Sequence, residues 1–273
     1  MTSCFSGIAH PAGLAFDSIA EQYDDVFTHS LIGRAQRDAV WEVLRRTFHS
    51  GQQVLELNCG TGEDALFLSR LGVAVLACDA SERMIAVAAR RMAAESRGAQ
   101  VQLQVRPSEH IGGLWNAGLF DGAFSNFSGL NCVADLPQVA GQLAGLIKPG
   151  GRLVLCLSSR VCLWETVWYL LHGEPARAFR RWRGTTTASL GENVLQVRYP
   201  TLRDIRRYFA PAFVLRSRTG IGVTVPPSYV EHVARKHRKA LACLEALDRM
   251  IAGWPLSRAV GDHTLLVLER RKP

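Results

Sequence analysis

The sequence lacks the patterns that mark several large classes of protein. No run of apolar residues reaches the ~20 that a membrane-spanning helix needs. The start, Met-Thr-Ser-Cys-Phe-Ser-Gly, has neither the basic flank nor the long apolar stretch of a secretory leader. The patterns H-E-x-x-H and G-x-S-x-G are also absent, which removes the support for a metalloprotease or an α/β-hydrolase. We therefore expect a cytoplasmic protein.

Cysteine is scattered along the chain and forms no recognisable pattern. The sequence has no C-x-x-C pair, and its seven cysteines are Cys4, Cys59, Cys78, Cys132, Cys156, Cys162 and Cys243. Several of them fall in predicted buried strands. An odd, scattered set is explained better by small core side chains than by a disulfide framework or a zinc site. No metal is expected.

Acidic residues are fewer than basic ones, 24 against 32, which gives a formal net charge of +8. A basic surface favours polyanionic partners such as RNA or a membrane. Many arginine-rich proteins share this balance, so charge alone does not select a function. With 48% hydrophobic residues in a chain of 273, a large core can form within one domain.

Residues 54 to 62, Val-Leu-Glu-Leu-Asn-Cys-Gly-Thr-Gly, predict a buried strand, a glycine turn and the start of a helix. Gly60 and Gly62 permit a close approach of the backbone to a ligand, and the helix N-terminus offers free N–H groups. Glu56 would repel a pyrophosphate but attract the ammonium of S-adenosylmethionine. The same turn matches the dinucleotide pattern G-x-G-x-x-[GA], so NAD stays open as an alternative.

Two further segments belong with this turn. Asp79 ends a second apolar strand, where a carboxylate can bind both hydroxyls of an adenosine ribose. Residues 145 to 157 predict a helix end, a Lys-Pro-Gly-Gly turn and another buried strand. These motifs resemble the class I S-adenosylmethionine-dependent methyltransferases from about Phe16 to Arg160, and again in the C-terminal strands. The segment Phe16-Asp17-x-x-Ala20-x-x-Tyr23-Asp24 is similar to the small-molecule branch, which includes ubiquinone-biosynthesis-type and glycine N-methyltransferase-like enzymes.

The alternation of apolar strands and amphipathic helices predicts an α/β fold with helices on both faces of a parallel sheet. The resemblance implies a Rossmann-like, doubly wound, seven-stranded sheet in the order 3-2-1-4-5-7-6, with the last strand antiparallel. Strands are predicted near 53–57, 73–78, 101–105, 120–125, 152–158, 213–225 and 263–270. We expect a single methyltransferase domain over 1–273 with helical cap insertions at about 160–200 and 226–261.

The resemblance also implies roles for individual residues towards the cofactor. Asp79 and Ala80 would meet the ribose, Met84 the adenine face, and Ser108 and Glu109 the adenine edge, with Pro107 standing where the family commonly has aspartate. The methionine part would be held by Glu56 and by the backbone of Asn58, Cys59, Gly60, Thr61 and Gly62.

Four more residues complete the expected cofactor site. Asn126 and Phe127 would lie beside the sulfonium, and Tyr23 would close over the cofactor or pack under a loop. Arg34 precedes the turn at the separation where glycine N-methyltransferase-like enzymes pair an arginine with the cofactor carboxylate. Arg37, one turn further along, is expected to be a solvated helix charge.

The acceptor is less well defined by the sequence. Residues 161–171 are too apolar for a fully exposed helix, and the arginines that follow suit either an anionic end of the acceptor or an anionic membrane. We expect acceptor contacts from Trp164, Trp168, Tyr169 and Arg180; the alternative is that the aromatic residues pack the insertion onto the sheet. Candidate bases are His110, Tyr169, His172, His232 and His263, and their context favours none, so the catalytic residue stays unassigned.

Three functional hypotheses follow. The first is a methyltransferase for a small, largely hydrophobic metabolite, such as a quinone, a lipid or a secondary-metabolite intermediate. The second is a peripheral-membrane or RNA methyltransferase, but base-amino methyltransferases usually carry [ND]-P-P-[YFW] where this chain has Asn126-Phe127-Ser128-Gly129, so no nucleic acid is expected. The third is a non-catalytic or NAD-binding protein of the same fold.

Overall fold

A seven-stranded sheet forms the centre of the structure, a computed structural model that describes residues 10–95 and 99–272. Its strand order is β3-β2-β1-β4-β5-β9-β8, and β9 is antiparallel to both of its neighbours. Two more strands, β6 and β7, pair only with each other. The strands are β1 (Gln53–Leu57), β2 (Ala74–Asp79), β3 (Val101–Val105), β4 (Phe120–Ser125), β5 (Ile147–Ser158), β6 (Thr185–Leu190), β7 (Asn193–Arg198), β8 (Phe213–Ile221) and β9 (His263–Arg270).

This order confirms the predicted sheet, because β8 and β9 occupy the places of its sixth and seventh strands. The described helices are α1 (Pro11–Asp17), α2 (Leu31–Thr47), α3 (Glu63–Arg70), α4 (Glu82–Ala93), α5 (Leu136–Leu146), α6 (Leu163–Leu171), α7 (Pro175–Ala178), α8 (Leu202–Phe209), α9 (Glu231–Lys236) and α10 (Arg238–Ile251). A π-helical turn, Asp24–Thr28, lies between α1 and α2.

Helices cover both faces of the sheet, which explains why the central strands are apolar on both sides. Leu55 and Leu57 of β1 point into a cluster with α5 and α8, whereas Val54 points into a second cluster with α2 and α3. Phe124 of β4 is 1% exposed and packs near Phe48, which follows α2. The alternation of side chains along each strand therefore supplies two cores on opposite faces of one sheet.

The two insertions leave the sheet at the edge where the parallel strands end. The first contains α6, α7 and the β6–β7 hairpin, so it is not helical throughout as the sequence suggested. The second contains α9 and α10, which break at His237. The apolar residues over 230–251 therefore do not share one buried face: Val230 and Leu241 are buried, but Val233 and Leu247 are exposed.

The N-terminal segment lies across the same edge and is fixed by polar contacts. Asp24 pairs with Arg91 of α4 at 2.5 Å, and Asp17 accepts a hydrogen bond from Ser81 at 2.6 Å. The hairpin of the first insertion reaches this segment through Asn193, whose amide donates to the carbonyl of Leu14. These contacts hold the N-terminal segment against α4 and connect it to the hairpin of the first insertion.

Cysteine burial varies among the six that the structure describes, all of which are unpaired. Cys59, Cys78, Cys156 and Cys162 are buried, as small core side chains would be, and Cys243 is exposed. Residues 1–9, which include Cys4 and the start on which the expectation of no leader was based, lie outside the described residues.

Replacing Phe124 by alanine should lower the free energy of unfolding by about 3–5 kcal/mol, because a fully buried aromatic ring leaves a cavity. The exposed Val194, at 65%, is the matched control, and Val194→Ala should change stability by less than about 0.5 kcal/mol. Urea denaturation followed by circular dichroism measures both. Equal effects of the two substitutions would contradict the assigned core.

Candidate active site

A first cavity opens at the carboxyl ends of β1, β2 and β4, the edge where open α/β sheets bind ligands. It encloses about 600 Å³ of empty space, counting the space at its mouth. Ten of the predicted cofactor residues line it: Tyr23, Asn58, Gly60, Asp79, Ala80, Met84, Ser108, Glu109, Asn126 and Phe127. The lining residues that sequence reasoning gave no role are His10, Ala12, Phe16, Gly129, Cys132 and Val133.

The two glycines of the turn have different tasks. A Cβ on Gly60, where φ is +54°, would meet nothing within 4 Å, since this glycine borders the cavity. A Cβ on Gly62, where φ is +77°, would lie 2.9 Å from the Cβ of Ala88 in α4. Gly60 thus keeps ligand space open, whereas Gly62 permits close packing of the turn against a helix. Of the two glycines, Gly60 alone is among the residues that line the first cavity.

Asp79 connects the turn to the next strand. Its carboxylate accepts hydrogen bonds from the backbone N–H of Gly60 at 2.8 Å and of Ser81 at 2.9 Å. Burial raises the pKa of Asp79, and these backbone donors partly oppose that rise. Each carboxylate oxygen retains acceptor capacity, so the side chain can hold the turn and still accept hydrogen bonds from a ligand.

Asn58 directly follows β1 and Asn126 directly follows β4, and hydrogen bonds fix both side chains. The Asn58 side-chain oxygen accepts from the hydroxyls of Ser108 and Ser125, each at 3.2 Å. Asn126 donates to Asp64 at 2.9 Å and accepts from the backbone N–H of Phe127 at 2.9 Å. Asn58 and Phe127 both have positive φ, at +55° and +41°. Such backbone conformations in non-glycine residues concentrate at functional sites.

A buried ion pair lies behind Asn126. Arg37 of α2 and Asp64 of α3 are each 4% exposed, and their closest nitrogen and oxygen are 2.6 Å apart. The Arg37 guanidinium also lies 4.9 Å from the ring centre of Phe127. Burial alone would lower the pKa of Arg37, but Asp64 together with Tyr23 and Glu63 outweighs burial and raises that pKa. The expectation that Arg37 is a solvated helix charge is therefore wrong.

Arg34, the arginine favoured by the sequence, is not among the residues that line the cavity. Its side chain is 48% exposed and its guanidinium lies 3.9 Å from Glu63. Glu56 is also absent from the lining, although it is 1% exposed and its Oε2 has no hydrogen-bond partner. Burial, with the nearby Asp64, raises the pKa of Glu56 well above its usual range.

The other predicted residues outside the lining belong to the turn. Cys59 is buried, and burial raises the pKa of its thiol well above the usual range. The Thr61 hydroxyl donates to Asp24 of the N-terminal segment at 2.7 Å. Gly62 begins α3 as its N-cap. These residues shape the turn and its contact with the N-terminal segment, and they are not among the residues that line the cavity.

A second, wider cavity adjoins the first, and Tyr23 and Phe127 line both. It has about 1120 Å³ of empty space, including open solvent at its mouth. The first insertion contributes Glu165, Arg180, Arg181 and Leu190, and the second contributes Pro227, Ser228 and Tyr229. The remaining lining residues are Ile19, Gln22, Val26, Phe27, Ser158, Asp262 and His263.

Of the four predicted acceptor residues, only Arg180 lines this cavity. Trp164 donates its indole N–H to the carbonyl of Thr224 at 2.9 Å, while Trp168 and Tyr169 lie against Tyr229. The direct contact with the acceptor that we expected from these three aromatic residues is not present in the lining of this cavity. Their partners lie in several segments: Thr224 follows β8, Tyr229 belongs to the second insertion, and Trp168 also packs against a cluster that contains Ile32 of α2.

Two arginines of the first insertion, Arg180 and Arg181, are paired with carboxylates of the protein itself. Arg180 binds Glu165 through two hydrogen bonds, at 2.8 and 3.1 Å. Arg181 is 8% exposed and pairs with both Glu165, at 2.7 Å, and Asp262, at 2.8 Å. Two carboxylates therefore balance two guanidinium groups in the wall of the second cavity.

The strand order and the cavity together define the class of protein. A sheet of this order, whose ligand cavity lies between a glycine turn and an acidic residue at the end of β2, is typical of class I methyltransferases, which bind a nucleoside-containing cofactor there. Residues 54–151 match the family model described as a methyltransferase domain. A demethylmenaquinone methyltransferase from Mycolicibacterium gilvum is 31% identical over 175 residues, which cover 62% of this chain and 71% of that protein. The chain belongs to the class I S-adenosylmethionine-dependent methyltransferase family. S-adenosylmethionine is its cofactor, and the comparisons give no support to NAD.

Two other similar proteins extend the comparison. A demethylmenaquinone methyltransferase from Thermobifida fusca is 34% identical over 141 residues, which cover 52% of this chain and 58% of that protein. The chain spans little more than half the length of several such curated relatives. The structure of the CcbJ methyltransferase from Streptomyces caelestis has a TM-score of 0.61 at 15% identity, and the match covers 94% of this chain and 98% of that one. At that identity the likeness concerns the fold alone.

Substituting each arginine of α2 by alanine should separate their roles. Arg37→Ala leaves Asp64 buried without its cation, so the free energy of unfolding should fall by about 3–5 kcal/mol. Arg34→Ala removes a half-exposed, long-range pair and should change stability by less than about 1 kcal/mol. Urea denaturation of the two variants tests this. A larger loss from Arg34→Ala would reverse the assignment.

Proposed function

We propose that this chain transfers the methyl group of S-adenosylmethionine to a small, largely hydrophobic acceptor. The observation that carries the proposal is the pair of adjoining cavities, which share Tyr23 and Phe127. The first has the features of a nucleoside site, and the second has a lining rich in aromatic and aliphatic side chains. Relatives named demethylmenaquinone methyltransferases support an acceptor of this kind. The two insertions would act as a cap, since both contribute walls to the second cavity.

The residues of the first cavity fit the nucleoside part of the cofactor. Asp79 would accept hydrogen bonds from the ribose hydroxyls, and Met84, which is 1% exposed, would lie against one face of the adenine. Glu109 stands where it can meet the adenine amine, and its Oε2 lies 3.4 Å from His10. Although burial opposes it, the hydrogen bond from His10 lowers the pKa of Glu109 and favours the carboxylate. The open space above Gly60 leaves room for the ligand.

The amino-acid end of the cofactor fits two buried polar atoms that lack partners. Glu56 Oε2 is an unpaired acceptor and Arg37 Nε is an unpaired donor. A buried polar atom without a partner is destabilising by about 1–3 kcal/mol. An ammonium and a carboxylate on one ligand would satisfy both. We therefore assign the carboxylate to Arg37 in place of Arg34, with Glu56 facing the ammonium.

S-adenosylmethionine, when bound, supplies an electrophilic methyl group on a sulfonium. Phe127 and Tyr23, at the junction of the cavities, would orient the acceptor and exclude water. Asn126 is fixed by Asp64 and by the backbone of Phe127, so it holds the wall of the junction in one position. Holding two reactants close and aligned can lower the barrier by up to about 7–11 kcal/mol.

Calorimetry with S-adenosylhomocysteine tests the first half of this proposal. Binding is expected, and Asp79→Ala should weaken it by at least about 1 kcal/mol because the ribose loses a carboxylate acceptor. Asp121→Ala is a matched control, since Asp121 pairs with Lys148 away from the cavity. Thermal unfolding separates lost affinity from lost folding. Tight NADH binding without any response to S-adenosylhomocysteine would contradict the proposal.

A specific observation favours a second role, docking on an anionic membrane. The outer face of α6 is apolar yet exposed: its residues at i, i+4, i+7 and i+8 are Leu163 (51% exposed), Val167 (44%), Leu170 (45%) and Leu171 (80%). In the segment that follows α6, the aromatic side chains of Phe179 and Trp182 are exposed as well. None of the helices in the described ranges is both long and apolar enough to cross a bilayer. A helix with such a face suits the plane of a membrane surface.

Exposed arginines in the segment after α6 favour an anionic lipid surface over a neutral one. Arg177 and Arg183 of the following segment are exposed, and Arg177 pairs with the partly exposed Glu174 at 2.8 Å, whereas Arg180 and Arg181 are neutralised by Glu165 and Asp262. Basic residues near an anionic bilayer each contribute about 1 kcal/mol. The inner side of α6 lines the second cavity through Glu165, so the outer face would bring the cap of the acceptor site to the lipid.

Vesicle co-sedimentation tests the docking surface. The protein should bind vesicles containing phosphatidylglycerol, more weakly at high salt, and should not bind pure phosphatidylcholine. A Val167→Ser, Leu171→Ser double variant should lose most of this binding, and an Arg177→Gln, Arg183→Gln variant should lose its salt dependence.

The matched control changes Met250 and Leu256 to serine, because both are highly exposed apolar residues of the second insertion. That control should bind vesicles like the parent chain. Equal loss in the control would remove the assignment to α6. A concentration-dependent dimer in light scattering that Val167→Ser, Leu171→Ser dissociates would mean that a second copy covers this face instead.

A further inference from the structure

We infer that His263 is the proton acceptor of the active site and that the second cavity takes a neutral aromatic compound bearing a hydroxyl group. This inference rests on the proposed function, because it assigns the acceptor class to the second cavity. Sequence reasoning included His263 among five candidate bases and favoured none. Its place in the fold now separates it from the others.

His263 lies at the junction of the two cavities. It is the first residue of β9, lines the second cavity, and packs edge-on against Phe127 with ring centres 5.5 Å apart. Phe127 in turn lines both cavities. A compound bound in the second cavity with its reacting atom towards the first would therefore pass beside this imidazole. The other four candidates are absent from the lining of both cavities.

The surroundings of His263 keep its imidazole neutral. Burial lowers the pKa of His263; Asp262 partly opposes this effect, and Arg181 adds to it. Asp262 precedes β9, Arg181 belongs to the 3₁₀ turn Arg181–Arg183, and Glu165 of α6 binds the same arginine. Because burial lowers its pKa, the imidazole favours its uncharged form, which can accept a proton.

The position of Asp262 also indicates which ring nitrogen accepts. His263 Nδ1 is buried without a hydrogen-bond partner, and it lies 3.6 Å from Asp262 Oδ2. A proton on Nδ1 faces that carboxylate, which favours this tautomer and leaves Nε2 as the acceptor. Asp262 is itself held by Arg181 and by Gln36, whose amide donates to it at 3.3 Å. The imidazole thus has a fixed neighbour on the side away from its accepting nitrogen.

The charge balance of the cavity defines the class of acceptor. The Glu165 and Asp262 carboxylates are paired with Arg180 and Arg181, so no uncompensated charge remains among these four to hold an ionic acceptor. Aromatic rings supply much of the remaining surface: Tyr23, Phe27, Phe127 and Tyr229. A neutral aromatic ring can pack among them. Its hydroxyl is the group that needs a base before methylation.

The hydroxyl proton of the acceptor moves to Nε2 of His263. The electron pair released onto the oxygen and its conjugated ring forms the new bond to the methyl carbon, while the bond from that carbon to the donor sulfur breaks and its electrons stay on sulfur. The imidazolium then releases its proton to solvent.

A pair of probes tests hydrogen bonding at His263 without requiring the natural acceptor. The full chain is saturated with S-adenosylhomocysteine and titrated with 2-naphthol or with 2-methoxynaphthalene, which lacks the hydroxyl proton. Imidazole signals are followed by NMR and affinities by calorimetry. The variants are His263→Phe and His263→Gln, and His172→Phe is the control because His172 stacks on Trp168 outside the cavity lining.

The wild-type protein should bind 2-naphthol about 3- to 10-fold more tightly than its methyl ether, as expected for one net hydrogen bond. 2-Naphthol should shift the Nε2 resonance of His263, whose pKa should lie below that of an ordinary imidazole because the ring is buried. His263→Phe should remove the preference and His172→Phe should keep it. His263→Gln, whose amide oxygen can still accept a hydrogen bond, serves as a second variant if His263→Phe does not fold.

Three results would overturn the inference: equal binding of the two probes, a preference that persists in His263→Phe, or titration of His263 above pH 7. Failure to bind S-adenosylhomocysteine is a different result and would contradict the proposed function itself. Binding of S-adenosylhomocysteine without any hydroxyl preference would leave the proposed function standing and remove only the role of His263.

Discussion

The buried ion pair between Arg37 and Asp64 is the interaction on which the active site depends. A charge in the interior is tolerated only when a partner and further hydrogen bonds compensate it. Asp64 has these bonds, since Trp41 and Asn126 both donate to it. Because Asn126 begins the segment that carries Phe127, the pair fixes the residue that separates the two cavities. Helices α2 and α3 are thereby connected to the end of β4 by charge as well as by apolar packing.

The first insertion is held to the sheet by a similar buried ion pair. Arg181 is buried between Glu165 of α6 and Asp262 at the start of β9, and it also donates to the backbone carbonyl of Asp262 at 3.0 Å. Removing this arginine would leave the buried Asp262 carboxylate without its cation and Glu165 with Arg180 alone, so the insertion is held to the sheet by a cation that cannot easily be replaced. An arginine-rich stretch that suggested anion binding in the sequence thus serves largely to neutralise the protein's own carboxylates.

The sheet was predictable because its signals are local. Strands β1 and β3 have the predicted bounds, and Asp79 and Gly60 lie at the edge that their positions indicated. The choice between Arg34 and Arg37 was missed because a charged residue was assumed to face solvent. A periodic signal existed: Arg37 lies three and seven residues before the buried Val40 and Leu44, on the apolar side of α2. Its partner Asp64 lies on another helix, and no local pattern reveals such a pair.

The insertions were less predictable for a related reason. Trp164 and Trp168 lie in the first insertion, but their partners, the carbonyl of Thr224 and the ring of Tyr229, depend on how this insertion packs on other segments of the chain. Contacts between two irregular segments leave no periodic trace in either sequence.

His263 illustrates the opposite case, in which topology carries information that composition does not. In parallel strands the last residues reach the ligand-binding edge, as Asp79 and Ser125 do. Strand β9 runs the other way, and its first residue pairs with Ser158 at the end of β5. An antiparallel seventh strand must therefore bring its N-terminal side chain to the ligand edge. The predicted strand order already contained this consequence, and it distinguishes His263 from histidines that merely occur in insertions.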